Sequence, residues 1–202
     1  MMTSQHDPMN LIISGVGGQG NILISRLIGR VLANKGYFVT IGETFGAAQR
    51  GGGVFSSLRI SEVKYHGPLV PDGQGHVILG LEPLETLRTL QSYGNPDVVT
   101  VTNFQPVYPV GVLAKRLTYP DLEELKGAIE GLSRSSRFLK ATDMAMELGA
   151  PIVANIIMLG ALLGTDEIPI NLEEAEEEVR SSFPSSKVEL NLTALKRGFN
   201  GI

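Results

Sequence analysis

Leu11–Ile41 reads LIISGVGGQGNILISRLIGRVLANKGYFVTI. Leu11–Ser14 is a short apolar run that stops at glycines, the pattern of a buried strand. From Asn21 to Lys35 the apolar residues Ile22, Ile24, Leu27, Ile28, Val31 and Leu32 recur at helical spacing. Gly36 stands where a left-handed C-terminal cap is expected. Tyr37–Ile41 reads as a second strand. Strand, glycine turn, helix and strand make a βαβ unit, which predicts a right-handed crossover.

Outward from this unit, Val54–Ile60 alternates as a strand and Lys64–Gly75, with its prolines and glycines, is loop. His76–Leu81 is a further strand that enters a helix through Glu82-Pro83, proline being suited to a first helical turn. Asp97–Thr102 is a strand and Asn103–Gly111 is turn-rich. Helices are predicted over Asp121–Gly131, Thr142–Leu148, Pro151–Leu163, Leu172–Ser182 and Lys187–Lys196. Asp121 and Asn171 are placed to cap two of them, with Glu174 completing a capping box. Strands crowd the first half and helices the second. The expectation is an α/β chain of one domain over 1–202, with a mostly parallel or mixed sheet between helical layers and a flexible terminus over 1–9.

Composition removes several classes of function. The 202 residues contain no cysteine, which excludes disulfides, thiolate nucleophiles and cysteine-ligated iron–sulfur clusters on this chain. His6, His66 and His76 are far apart and show no metal-ligand spacing, so no metal site is expected. Seventeen basic residues face 21 acidic ones, for a net charge of −4, and no basic cluster exceeds two, so no nucleic-acid partner is expected. The longest apolar run, Pro151–Gly164, is too short to span a bilayer and holds Asn155. A cytoplasmic protein without a membrane partner is the expectation.

Two constellations carry chemistry. Gly15, Gly17, Gly18, Gln19 and Gly20 follow a strand and open a helix, whose unpaired N–H groups suit a phosphate or carboxylate. Gly15, Gly17 and Gly20 also match the dinucleotide pattern G-x-G-x-x-G, and Glu43 stands where a ribose-binding acid would. The same glycines serve a tight turn equally well, and spacing alone does not separate turn from anion site. The second constellation is Gln49-Arg50-Gly51-Gly52-Gly53, where Arg50 beside backbone amides suits a planar acid, a phosphate or a partner subunit. Three smaller features read as structural. Glu82, Glu85 and Arg88 sit where helix capping and an i,i+3 pair explain them, His76 stands at a strand entrance, and the five glutamates of Glu173–Glu178 form a solvated face.

With these residues in hand the chain resembles the gamma-type domain of 2-oxoacid:ferredoxin oxidoreductases. The matching stretches are GVGGQG (Gly15–Gly20), AAQRGGGVFSSLRI (Ala47–Ile60), ANIIMLGAL (Ala154–Leu162) and NLTALKRG (Asn191–Gly198). LGLEPLETLR (Leu79–Arg88) is most similar to the beta subunit of indolepyruvate:ferredoxin oxidoreductase. Gly75-His76 departs from the pattern, since many relatives place a small residue followed by Asp there. The resemblance implies a three-layer α/β/α fold. It also implies oxidative decarboxylation of a 2-oxoacid, an arylpyruvate in the indolepyruvate type, with coenzyme A as co-substrate and ferredoxin as electron acceptor. Thiamine diphosphate and iron–sulfur clusters are then expected on a larger partner subunit, no cofactor on this chain alone, and no activity without that partner. In this reading Gly15–Gly20 and the Arg50 loop line the partner or coenzyme A, and no catalytic residue is assigned. The competing expectations are an NAD(P)-binding dehydrogenase domain and a non-catalytic scaffold module.

Overall fold

In the computed structural model, residues 6–43, 52–108 and 110–202 are described. Strand β1 (Met9–Val16) is followed by α1 (Asn21–Asn34), β2 (Phe38–Glu43), β3 (Gly53–Ser61) and β4 (Val77–Gly80). Then come α2 (Pro83–Tyr93), β5 (Val99–Asn103), a single turn α3 (Val110–Leu113), α4 (Leu122–Gly131) and β6 (Ser135–Leu139). Helices α5 (Ala141–Glu147), α6 (Ala154–Leu163), α7 (Leu172–Ser182) and α8 (Ser185–Phe199) complete the chain, with a 3-10 turn at Pro151–Val153 before α6.

Local signals set most boundaries. Gly36 takes φ 91° just beyond α1. Glu82 caps α2 through the Glu85 N–H, with Pro83 in the first turn. Asp121 caps α4, and Asn171 and Glu174 form the reciprocal capping box of α7. Strand β1 begins at Met9, which is buried and pairs with Ile60, so the sheet takes in the last residue of the stretch read as a flexible terminus.

The six strands run in the order β2-β3-β1-β4-β5-β6. Pairs β1–β4, β4–β5 and β5–β6 are parallel, whereas β3 is antiparallel to both β1 and β2. The sheet is therefore mixed. The βαβ reading of Leu11–Ile41 needs correction in one respect: β1 and β2 are not neighbours, because β3 doubles back and fills the gap between them.

Helices cover both faces. Ile13, Leu79 and Val101 join α1, α6, α7 and α8 in the larger core. On the other face Ile12 and Ile78 meet Leu90 of α2 and Ile129 of α4. Each fully buried Ile or Leu stabilises the fold by about 1.5–3 kcal/mol of transfer free energy. Helices α6 and α8 cross backbone to backbone. A Cβ on Gly160 would collide with the Leu195 carbonyl oxygen, and one on Gly198 with that of Ile157. Helix α7 is tied to its neighbours by charge, so its glutamates are not all a solvated face. Glu174 pairs with Lys35 at 2.8 Å, Glu178 with Arg30 at 3.4 Å and Glu176 with Lys196 at 3.2 Å.

Candidate functional site

After β1 the chain leads through α1 toward β2 at one edge, and after β4 it leads through α2 toward β5 at the other. The direction of winding switches between β1 and β4, and in open α/β sheets ligands bind outside the carboxyl ends of the strands at such a point. The glycine turn stands there. Gly18 and Gly20 take φ 99° and 95°, a conformation that L side chains rarely adopt. A side chain on Gly20 would also strike the Asn155 amide at the start of α6. Gly17 N–H donates to the Gly52 carbonyl at 2.9 Å, so the structure brings the two predicted constellations together. Arg50 and Gly51 lie outside the described residues.

Gln19 has a different role from the one its spacing suggests. Its Oε1 accepts from the Val16 N–H at 2.7 Å and its Nε2 donates to the Leu81 carbonyl at 3.0 Å. The side chain braces the end of β1 against the end of β4. Gly15 leaves it room, since a Cβ there would lie 2.6 Å from Gln19 Oε1. What remains open is the N-terminus of α1, which has no side-chain cap and no acidic residue in its first turn. Backbone N–H groups with the positive end of a helix dipole, beside the buried amide of Asn155, make a corner suited to an anion. The dinucleotide fingerprint fails on strand order. Glu43 ends a strand two places from β1, about 10 Å away at the usual strand spacing, and faces Arg26 at 3.9 Å. A ribose-binding acid belongs on the strand next to β1.

Beside this corner lie side chains that spacing did not single out. Among the described residues, four buried polar atoms have no hydrogen-bond partner: Ser14 Oγ, Asn21 Oδ1, Thr102 Oγ1 and Asn103 Oδ1. All four belong to the carboxyl ends of β1 and β5 or to the first residue of α1. Asn103 Nδ2 is engaged, donating to Thr142 Oγ1 at 3.0 Å and to the Leu81 carbonyl at 3.3 Å.

Glu82 is 1% exposed and more than a helix cap. One carboxylate oxygen accepts from the Glu85 N–H at 2.9 Å; the other accepts from the Tyr119 hydroxyl and from the Val107 N–H at 3.4 Å. Burial and then the Glu82 carboxylate push the Tyr119 phenol far above its ordinary range, so it stays a donor at every physiological pH. Glu85 rests against Gly53 and pairs with Arg88 at 2.6 Å; burial raises its pKa more than Arg88 lowers it. No sequence period joins Tyr119 to Glu82, 37 residues away. Among the described residues no group of three His, Asp or Glu could hold a metal ion, and no helix is long and apolar enough to cross a membrane.

The model of one family, pyruvate ferredoxin/flavodoxin oxidoreductase, matches residues 10–201. The chain belongs to that family. An indolepyruvate oxidoreductase subunit IorB from Pyrococcus horikoshii is 37% identical, over 94% of this chain and 93% of its own. The gamma subunit of a keto/oxoacid ferredoxin oxidoreductase from Geobacter sulfurreducens PCA superposes with a TM-score of 0.66 at 24% identity, covering 96% of this chain and 97% of that one. A 2-oxoglutarate:ferredoxin oxidoreductase from Magnetococcus marinus superposes with a TM-score of 0.73 at 20% identity. There the match covers 96% of this chain but 30% of the other, so in that protein the same fold is one part of a longer chain.

Proposed function

We propose that this chain is the small subunit of a 2-oxoacid:ferredoxin oxidoreductase of the indolepyruvate type, active only with a larger partner chain. The observation that carries the reading is the family match across residues 10–201 together with the relative named for indolepyruvate at 37% identity. The chain's own donor set agrees with a division of labour. It has no thiolate for an iron–sulfur cluster. We assign the clusters and thiamine diphosphate to the partner, with ferredoxin as the acceptor. The corner made by Gly18, Gly20, the start of α1 and Asn155 offers backbone and amide hydrogen-bond donors, chemistry that suits the diphosphate of coenzyme A. Arg50 would add a fixed positive charge to the same region.

The test is co-expression with the candidate large subunit, anaerobic purification, and an assay of coenzyme-A-dependent viologen reduction with indolepyruvate. Co-purification with turnover of indolepyruvate is the expected result. Turnover of pyruvate or branched-chain 2-oxoacids alone would refute the indolepyruvate assignment and leave the subunit role standing. Absence of both a partner and dye reduction would refute the subunit role.

A further inference from the structure

Far from the glycine turn, at the amino end of the sheet, lies a hollow of about 330 Å³ lined by His6, Asp7, Asn10, Arg59, Gln74 and His76. Small-molecule sites begin at about this size. Its walls are locked to one another. Arg59 Nε donates to Asn10 Oδ1 at 3.1 Å, and Arg59 Nη1 donates to the Gly67 and Leu69 carbonyls at 3.2 and 3.1 Å. Asn10 Nδ2 donates to the Gln74 carbonyl and the Asn10 N–H to His76 Nδ1, both at 2.8 Å. The His76 N–H returns to the Asn10 carbonyl at 3.0 Å.

What these bonds leave over is mostly donor. The oxygens of Asn10, Gly67, Leu69 and Gln74 and the Nδ1 of His76 already accept. Arg59 Nη2 has no acceptor among the described residues. Because His76 Nδ1 accepts, the ring proton of neutral His76 sits on Nε2, a second donor without a partner. Burial, followed by His6, lowers the pKa of His76 to about 4, so the ring is neutral at physiological pH. Arg59 is then the permanent cation of the hollow. Three bonds hold it in one orientation, which reduces the ordering cost of binding. The acceptor left unclaimed is the Asp7 carboxylate, exposed at the rim and without a partner among the described residues.

A matching ligand has acceptor oxygens for Arg59 and His76 and a hydroxyl for Asp7. An ionised carboxylate can only accept, so Asp7 repels an oxoanion that carries no proton and bonds to one that does. Inorganic phosphate keeps a hydroxyl at neutral pH, whereas sulfate has none. We propose that this hollow is a binding site for hydrogen phosphate, in which Arg59 Nη2 and His76 Nε2 donate to its oxygens and Asp7 accepts from its hydroxyl. The inference is independent of the small-subunit reading. It gives His76 a task that its place at a strand entrance does not reveal.

The experiment is calorimetric titration of the full chain with sodium phosphate, sodium sulfate or methyl phosphate at matched ionic strength. It is run at about pH 8, where a phosphate monoester has lost its last proton. Inorganic phosphate should bind at least about ten-fold more tightly than either of the others. Asp7→Asn should erase that preference, because an amide donates to sulfate as well. Arg59→Lys, which keeps the charge and removes Nη2, should weaken phosphate by about ten-fold. Amide NMR shifts on phosphate addition locate the site and should centre on Asn10, Gln74 and His76. No phosphate binding, equal affinity for sulfate, or an unchanged preference in Asp7→Asn overturns the proposal. Shifts confined to residues 17–21 place the anion at the start of α1 and overturn it too. If Arg59→Lys fails to fold, Asp7→Asn and the NMR shifts decide.

Discussion

The two ends of the sheet treat their polar groups in opposite ways. At the amino end Asn10, buried, accepts from Arg59 Nε at 3.1 Å and donates to the Gln74 carbonyl at 2.8 Å. Its N–H donates to His76 Nδ1 at 2.8 Å, and the His6 ring stacks on His76 at 4.0 Å. Arg59 also donates to the Gly67 and Leu69 carbonyls, and Asn95 to those of Gly73 and Gly75. At the carboxyl end lie the four unpartnered polar atoms and the uncapped helix start. One end is closed by the protein's own hydrogen bonds. Among the described residues the other leaves polar groups unpaired, which is where a binding partner has most to offer.

The comparison is broken most severely at Glu82, a buried group that closes part of the open end. Glu82→Ala leaves the Tyr119 hydroxyl and the Glu85 and Val107 N–H groups without their acceptor. Losing a cap and buried charge-assisted bonds should cost about 3 kcal/mol, read as a lower urea midpoint at unchanged slope. A loss under about 0.5 kcal/mol would mean that the segment above it does not depend on the carboxylate.

The closed end is sharpened by pH. His76 accepts a backbone N–H, so its ring is neutral, and burial followed by the neighbouring His6 lowers its pKa from 6.5 to about 4. Between those values the unfolded chain binds more protons than the folded one. Stability is therefore complete above about pH 6.5 and falls as pH drops toward 4. The full shift corresponds to about 3 kcal/mol, and partial solvent access reduces the expected fall to about 1 kcal/mol. His76→Asn should flatten the slope of melting temperature against pH in this window; a slope equal to wild type would remove His76 as its source. The smallest effect is expected at Arg88, whose pairing with Glu85 is exposed on the arginine side. Arg88→Ala should change stability by less than about 0.5 kcal/mol, measured by the same urea titration.

Much of the fold was legible because its signals are local. Gly36, the Glu82-Pro83 entry, Asp121 and the Asn171/Glu174 box each report on backbone within a few residues, and each stands where expected. Strand β6 was missed because Ser135–Leu139 forms a sheet edge and is buried only at Leu139, which leaves no alternation to read. The insertion of β3 was missed because pairing Met9 with Ile60 spans 51 residues, beyond any periodicity. The glycine turn was legible as a candidate site, and Gly52 does meet Gly17. Its internal economy was not. Gln19 is consumed as a brace, and Glu82, which reads as an ordinary cap, also holds Tyr119.

The crossing of α6 and α8 bears on what a family signature means. Two of the four stretches that mark this family, Ala154–Leu162 and Asn191–Gly198, contain the two glycines at which these helices touch. Each position excludes every larger residue because of the other helix's carbonyl oxygen. These two words of the signature are one physical statement, a distance of closest approach written twice along the chain. They report how closely two helices pack and carry no information about a substrate.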